Sequence, residues 1–513
     1  MFFMTNTLLI DHIGQQYTAL LDQSALFATL HSARAKATQL RRDIIASFTL
    51  PIERYNTLQA FLGVQQAALG EIFFWEQPSE QNALIGVGNA LAIETVGNTS
   101  AMDAAAQWRA LLQDAVISSA ENVQEIDAVY GHGPVFFGGF AFDPDTLHTP
   151  LWAGFPDGLL ILPRFLLRYS KNHTTLTINV SLHAEDDIEQ CFHQINHDTQ
   201  HLLTAIRNSS TLQDTGRPQL SPLHVANGRE SEAHESVLKI QDTLPATVWM
   251  QKVAEVAHDI RHGLLEKVVL ARSVQVTPQV GASFAIVDVL GRLRQSYPST
   301  YIFAMQSGTH FFIGATPERL VQAQNGQIHT MALAGSARRG TTQTEDEQLS
   351  AALLHSEKNS IEHAVVVARV REALLAHCSS VHVSDTPHLL KLKNVQHLET
   401  PIVGELLPGR CILDVMADLH PTPAVGGFPR EEALATIRRV EQLDRGWYAG
   451  PLGWIGAGGH GEFAVALRSG LIAEQEATLF AGCGIVGDSD PQSEYVESCW
   501  KLQGMLRGLG EEI

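Results

Sequence analysis

The sequence predicts an α+β protein built on mainly antiparallel sheet. Three observations carry that prediction: apolar and aromatic runs joined by short turns, long helical stretches interleaved irregularly with them, and no regular β–α–β alternation. In chain order, residues 1–205 mix helical stretches with strands such as 133–143 (GPVFFGGFAFD). Residues 207–243 are rich in Ser, Pro, Asn, Gly and charge, and read as a connection. The chain therefore divides into an N-terminal half, 1–225, and a C-terminal region, 240–513. From 246 to 265 the apolar spacing is helical, and 267–276 (KVVLARSVQV) is a strand rich in Val, Leu and Ala. Two hairpins follow, one through YIFAM–QSGT–HFFIG and one turning at Asn325-Gly326, where both central residues must accept a positive φ. One long helix is predicted over 345–378. Further strands at 447–455, 462–473 and 477–481 lead to a last helix over 490–509.

Composition excludes several classes of function. The chain has 513 residues, 45% hydrophobic and 18% charged, ordinary values for a globular protein. No run of about 18 uncharged apolar residues is present, so no membrane span is predicted. The N-terminus is apolar but lacks a basic n-region and carries Asp11, a poor signal peptide. Cysteines at 191, 378, 411, 483 and 499 form no CxxC pair and read as reduced thiols of a cytoplasmic protein. A formal net charge of −20 repels phosphate backbones and anionic membranes, so neither nucleic acid nor membrane is expected as a partner. If the substrate is an anion, local cations must overcome that field, and a bound divalent ion is one way to supply them.

Several side chains could carry chemistry. Glu494, Glu497 and Lys501 share one stripe of the last helix. They follow AGCGIV at 481–486, a glycine-rich strand end able to offer backbone N–H groups to an anion. Two carboxylates one turn apart suit a hard cation such as Mg²⁺, although spacing alone fits a solvated face with an internal Glu–Lys pair at least as well. Glu362, taken alone, reads as a surface glutamate paired with Lys358. Lys267 heads an apolar strand. Burial disfavours its charged form, as a lysine base requires, while the simpler alternative is an ammonium reaching back to water. Glu318 follows a Gly-Ala-Thr-Pro turn, where it can be a carboxylic acid with a raised pKa or merely a residue after Pro317 at a helix start. Arg468, within AVALRSG, is expected in a buried strand and needs a carboxylate from protein or ligand. The segment 453–461 (GWIGAGGHG) lacks the GK[ST] ending of a phosphate loop and reads as a hairpin turn, and no HExxH pattern suggests zinc.

Together these pieces resemble the chorismate-utilising enzymes, a family of isochorismate, salicylate, anthranilate and aminodeoxychorismate synthases. The resemblance covers about 245–510 and rests on EKVVLAR, GATPERL, MALAGSARRG, SEKNSIEHAVVV, LHPTPAVGGFPR, AVALRSG and AGCGIVGDSDPQSEYVES, in the family's order. FFGGFAFDP and GLLILPRFLL resemble its less distinctive N-terminal half. The fold implied is a sandwich of two large, mainly antiparallel sheets clad in helices, forming one unit. The resemblance implies Mg²⁺ held by Glu362 and Glu497 with Glu494 nearby, Lys267 as the water-activating base, and Glu318 as the acid for the departing 4-hydroxyl of chorismate. It implies further that Arg468, the amides around Gly482 and Gly484, and Lys501 hold anionic oxygens, while Gly335, Ser336 and His397 line the substrate. Within the family, Lys267 suits members that add water. Ala334 stands where aminodeoxychorismate synthases carry a lysine nucleophile, and Ala424 where the other reactions typically use a threonine. Isochorismate synthase is the implied activity, with salicylate synthase the nearest rival, then anthranilate synthase or a non-catalytic homologue. The long N-terminal half is more like the menaquinone-pathway enzymes than those serving siderophores.

Overall fold

The structure, a computed structural model, describes residues 23–120, 133–146, 148–171, 173–211, 238–279, 281–391 and 395–511. Its N-terminal part comprises α1 (Gln23–Leu40), β1 (Ile44–Pro51), α2 (Thr57–Ala67), β2 (Ile72–Gln77), β3 (Asn82–Thr95), α3 (Ser100–Gln113), β4 (Val116–Ser119), β5 (Val135–Phe140), β6 (Gly158–Tyr169), β7 (Thr174–Leu182) and α4 (Ile188–Thr211). Next come β8 (Leu238–Asp242), α5 (Ala246–Arg261), β9 (Lys267–Pro278), α6 (Ile286–Ser296), β10 (Tyr301–Ser307), β11 (His310–Thr316), β12 (Arg319–Gln324) and β13 (Gln327–Arg338). Then follow α7 (Gln343–Leu354), α8 (Glu357–Leu375), β14 (Cys378–Val383), β15 (His388–Lys391), β16 (Val395–Leu406), α9 (Ile412–Leu419), β17 (Gly427–Phe428) and α10 (Arg430–Val440). The last elements are β18 (Pro451–Gly456), β19 (Gly461–Val465), β20 (Ser469–Ile472), β21 (Ala477–Ile485) and α11 (Pro491–Leu509).

The α+β class is as expected, and among the described residues every strand pairing is antiparallel except β1 with β4. The strands form two arrays sharing one strand. The first runs β4–β1–β7–β6–β3–β2–β10–β11–β20–β21–β9–β8 and the second β6–β5–β18–β19–β12–β13–β16. Residues 158–161 of β6 pair with β5, and residues 165–169 pair with β7, so β6 passes from one array to the other. Strands from the two halves of the chain pair directly, β2 with β10 and β5 with β18.

The inner strands of the first array, such as β2 and β10, are buried on both faces, and a period of two sorts their side chains. Ile72 and Phe74 of β2 join one hydrophobic core with Ile302 and Ala304 of β10; Phe73, Trp75, Phe303 and Met305 join the other. This second core lies between the arrays, where Phe73 packs on Phe137 of β5 with ring centroids 4.0 Å apart. The first core is closed by α1, α2, α4, α6 and α11, which contribute Leu30, Phe61, Ile206, Leu290 and Met505. No helix among the described residues is long and apolar enough to cross a membrane. All five cysteines are unpaired thiols.

The hairpin turning at Asn325-Gly326 forms with φ values of 53° and 79°, as its sequence requires. Two expectations need correction. The single helix over 345–378 is two helices, because Ser356 caps a new one by accepting from the Asn359 amide, and Cys378 already begins β14. The strand over 462–473 is also two, β19 and β20. They are separated at Arg468, whose φ of 50° breaks the extended ladder.

Candidate active site

The site gathers where β9, β21 and α11 meet the turns before β12 and β20. Lys267 is the first residue of β9, and Gly484 lies beside it on β21. A Cβ on Gly484 would stand 3.0 Å from Lys267 Cε and 3.7 Å from Nζ, so the missing side chain makes room for the lysine. Gly482 and Gly484 oppose Ala271 and Val269. Ala271 spends its N–H on the Glu441 carboxylate and its carbonyl on Trp249; Val269 spends its own on Gly426 and Arg445. These are therefore non-hydrogen-bonded pairs, and the N–H groups of Gly482 and Gly484 point away from β9. On that side the Gly482 carbonyl accepts from Lys501 Nζ at 2.8 Å.

Helix α11 starts at Asp490, which accepts from the Ser493 amide. Glu494, Glu497 and Lys501 then align as expected. Lys501 Nζ is 2.7 Å from Glu497 Oε1, and Glu494 Oε1 accepts from Ser489 Oγ at 2.7 Å. Glu494, Glu497 and the Cys483 thiol offer donor atoms all within 4.8 Å of one another. Burial, reinforced by the Glu497 charge, raises the Glu494 pKa despite the Ser489 hydrogen bond. Burial pushes the Cys483 thiol up to about 12, so it stays protonated at neutral pH. Crowded carboxylates with an open side suit a hard cation, which would relieve their repulsion. Glu362 lies on α8, next to His363, which meets Thr400 Oγ1 of β16 at 2.7 Å. The side chains of Glu362 and Ser336 lie outside the described residues.

Glu318 follows the turn after β11, and its carbonyl accepts from the Val465 amide of β19. Burial raises its carboxyl from the usual 4.5 to about 7, although the Lys267 and Lys501 ammonium groups pull the other way. Gly335 forms a bulge in β13 at a φ of 74°, a conformation that favours glycine. Its backbone hydrogen-bonds the His397 ring. Burial, with Lys501 and Arg468 beside it, lowers His397 to about 4 and keeps it neutral.

Arg468 was expected inside a buried strand. It occupies instead the kink between β19 and β20, where its carbonyl accepts from Ala315. Among the described residues its guanidinium forms no ion pair or hydrogen bond. Burial works against its charge; Tyr448, Tyr297, Glu497 and Cys483 favour it. Ala424 lies half-buried on a turn whose Gly426 carbonyl holds the Val269 amide of β9. Tyr448 is a member that sequence reasoning missed. Its hydroxyl lies 3.3 Å from where a Gly482 Cβ would be, and it acts on the Arg468 charge. A buried tyrosine after Trp447 carried no separate signal in the sequence.

The arrangement brings three cations, two carboxylates and one protonatable acid around outward-facing glycine amides. A family model described as "Chorismate binding enzyme" matches residues 30–510. The chain belongs to that family. It is 34% identical over 479 residues to the isochorismate synthase MenF of Bacillus subtilis, covering 93% of this chain and 96% of that protein. It is 35% identical over 486 residues to the salicylate biosynthesis isochorismate synthase of Pseudomonas aeruginosa, covering 94% of each. The solved structure of MenF, the menaquinone-specific isochorismate synthase of Escherichia coli, superposes with a TM-score of 0.67 at 27% identity, over 94% of this chain and 99% of that one.

Proposed function

We propose that this protein is a magnesium-dependent isochorismate synthase, converting chorismate to isochorismate. The observation that carries the reading is that the Glu318 carboxyl lies within the field of the Lys267 ammonium yet is raised by burial to about 7, and so holds a proton near neutrality. Water is a weak nucleophile and hydroxide a poor leaving group, so 1,5-transposition of the hydroxyl needs a base and an acid. Lys267 takes a proton as water bonds to C2. The C1–C2 double bond moves to C1–C6, the C5–C6 double bond moves to C4–C5, and the C4–O bond breaks. Glu318 gives its proton to the departing oxygen, which leaves as water, so one water enters and one is lost.

Glu494 and Glu497, with Glu362 from α8, would hold the Mg²⁺, and the ion when bound would neutralise the ring carboxylate. Arg468, whose guanidinium has no partner of its own among the described residues, takes the other carboxylate with Tyr448 and the amides of Gly482 and Gly484. His397, neutral at physiological pH, lines the ring beside Gly335. Ala424 offers no hydroxyl to direct ammonia or assist elimination. Five unpaired thiols go with a reducing, cytoplasmic setting. The test is incubation with chorismate and Mg²⁺, with products resolved by chromatography. Isochorismate should accumulate with little pyruvate, and ammonium should yield no anthranilate. Pyruvate release matching chorismate loss would move the protein to salicylate synthesis.

A further inference from the structure

Lys267 and Arg272 lie on the same strand with opposite parity, so they project from opposite faces of β9. Lys267 faces the site; Arg272 faces the back of the strand, where α11 lies. At the rim of the site Lys501 reaches the Gly482 carbonyl on the edge of β21 away from β9, with the Glu497 carboxylate paired to it. Arg272, with 3% of its side chain exposed, grips the flank of the helix next to the ligand stripe. Its Nε donates to Ser498 Oγ at 2.7 Å, Nη2 to Cys499 Sγ at 3.1 Å and Nη1 to Asp242 Oδ1 at 2.5 Å. The guanidinium carbon lies 4.5 Å from the Tyr495 ring centroid, and the Tyr495 hydroxyl closes the ring by donating to Asp242 Oδ2 at 2.7 Å. Ser498 Oγ in turn donates to the Tyr495 carbonyl at 2.6 Å. Strand β8, strand β9 and one helical turn are thus tied through one guanidinium.

We infer that Arg272 is a positioning residue that sets the roll of α11, and through it the placement of Glu494 and Glu497 for the divalent ion. The inference rests on the metal site proposed above. A helical glutamate carries its carboxylate roughly 6 Å from the helix axis, so a roll of about 20° moves it by about 2 Å. Metal–ligand distances tolerate only about 0.2 Å, so even a fraction of that roll matters. Lysine keeps the charge and can keep Asp242, but it has no planar fork to hold Ser498, Cys499 and the Tyr495 face together.

The experiment measures Mn²⁺ binding to the purified protein by electron paramagnetic resonance, alongside Mg²⁺ activation of turnover. In Arg272→Lys the Mn²⁺ affinity and the Mg²⁺ half-saturation should each worsen about tenfold. Turnover at saturating Mg²⁺ should stay within about threefold of wild type, and its pH profile should be unmoved. Ser498→Ala, which removes one contact and leaves the buried ion pair whole, should weaken Mn²⁺ about threefold and covers the case in which Arg272→Lys does not fold. Unchanged Mn²⁺ affinity in a folded variant, or a fall in turnover that saturating Mg²⁺ does not restore, overturns the inference. Glu497→Ala separates the two readings. If it abolishes Mn²⁺ binding while the Arg272 and Ser498 variants bind normally, the metal site stands and the clamp does not. If wild type binds no Mn²⁺, both fall.

Discussion

Replacing Glu318 with glutamine removes the acidic proton that could be given to a leaving group and leaves the shape nearly unchanged. The effect can be worked from the carboxyl's environment. A rise from 4.5 to about 7 corresponds to about 3 kcal/mol of preference for the protonated form, arising from burial. Because the acid is lost above neutrality, wild-type kcat/KM should fall about tenfold per pH unit above about 7. Glu318→Gln should lose about 10²–10⁴-fold in kcat, with chorismate KM changed less than about threefold. Stability should move the other way. Below pH 4.5 the carboxyl is protonated in both folded and unfolded chains and contributes no difference. Between 4.5 and about 7 the unfolded chain ionises first, so wild-type stability falls as pH rises; above about 7 the full cost is present. Glu318→Gln should therefore resist urea better than wild type at pH 8.5, by up to about 3 kcal/mol, and show no advantage at pH 4.5. Isochorismate formation followed by chromatography across pH 5.5–9, with urea melts at the two pH values, provides the assay. A wild-type profile flat to pH 9, or a stability advantage of the variant over wild type no larger at pH 8.5 than at pH 4.5, would refute the assignment of Glu318 as the acid.

Two other substitutions test neighbouring parts of the site. Glu497→Ala should abolish Mg²⁺-dependent turnover and release Lys501 from its 2.7 Å partner; near-normal rates at low Mg²⁺ in a steady-state assay would remove Glu497 from the metal site. Gly484→Ala places a methyl 3.0 Å from Lys267 Cε. Displacing the lysine tip by a few tenths of an ångström should lower kcat about tenfold while leaving Mn²⁺ binding intact, and wild-type kcat in this variant would show that Lys267 does not act from that position.

Local chemistry made several features legible in the chain alone. Asn325-Gly326 turns a hairpin because both residues tolerate positive φ, and Asp490 caps α11 because its side chain reaches the Ser493 amide. The order of motifs pointed to the family, and helical periodicity put Glu494, Glu497 and Lys501 on one stripe. Such properties depend on residues a few positions apart, so sequence determines them. The assembled site does not have that character. Arg468 is bent out of its strand at a place where the ladder gives no warning, and Ser356 starts a second helix inside a run that reads as one. Apolar runs buried on both faces also lose the alternation that would say which side chain faces which core. Glu318 holds its proton near neutrality because burial, against the pull of Lys267 and Lys501 from distant stretches of chain, disfavours its charge. Arg272 reaches Ser498 and Asp242 in the same way, across elements that meet only on folding. Desolvation and long-range ion pairing depend on what surrounds a side chain in three dimensions, so only the tertiary structure decided which of these charged residues are buried, which are paired and which stand together.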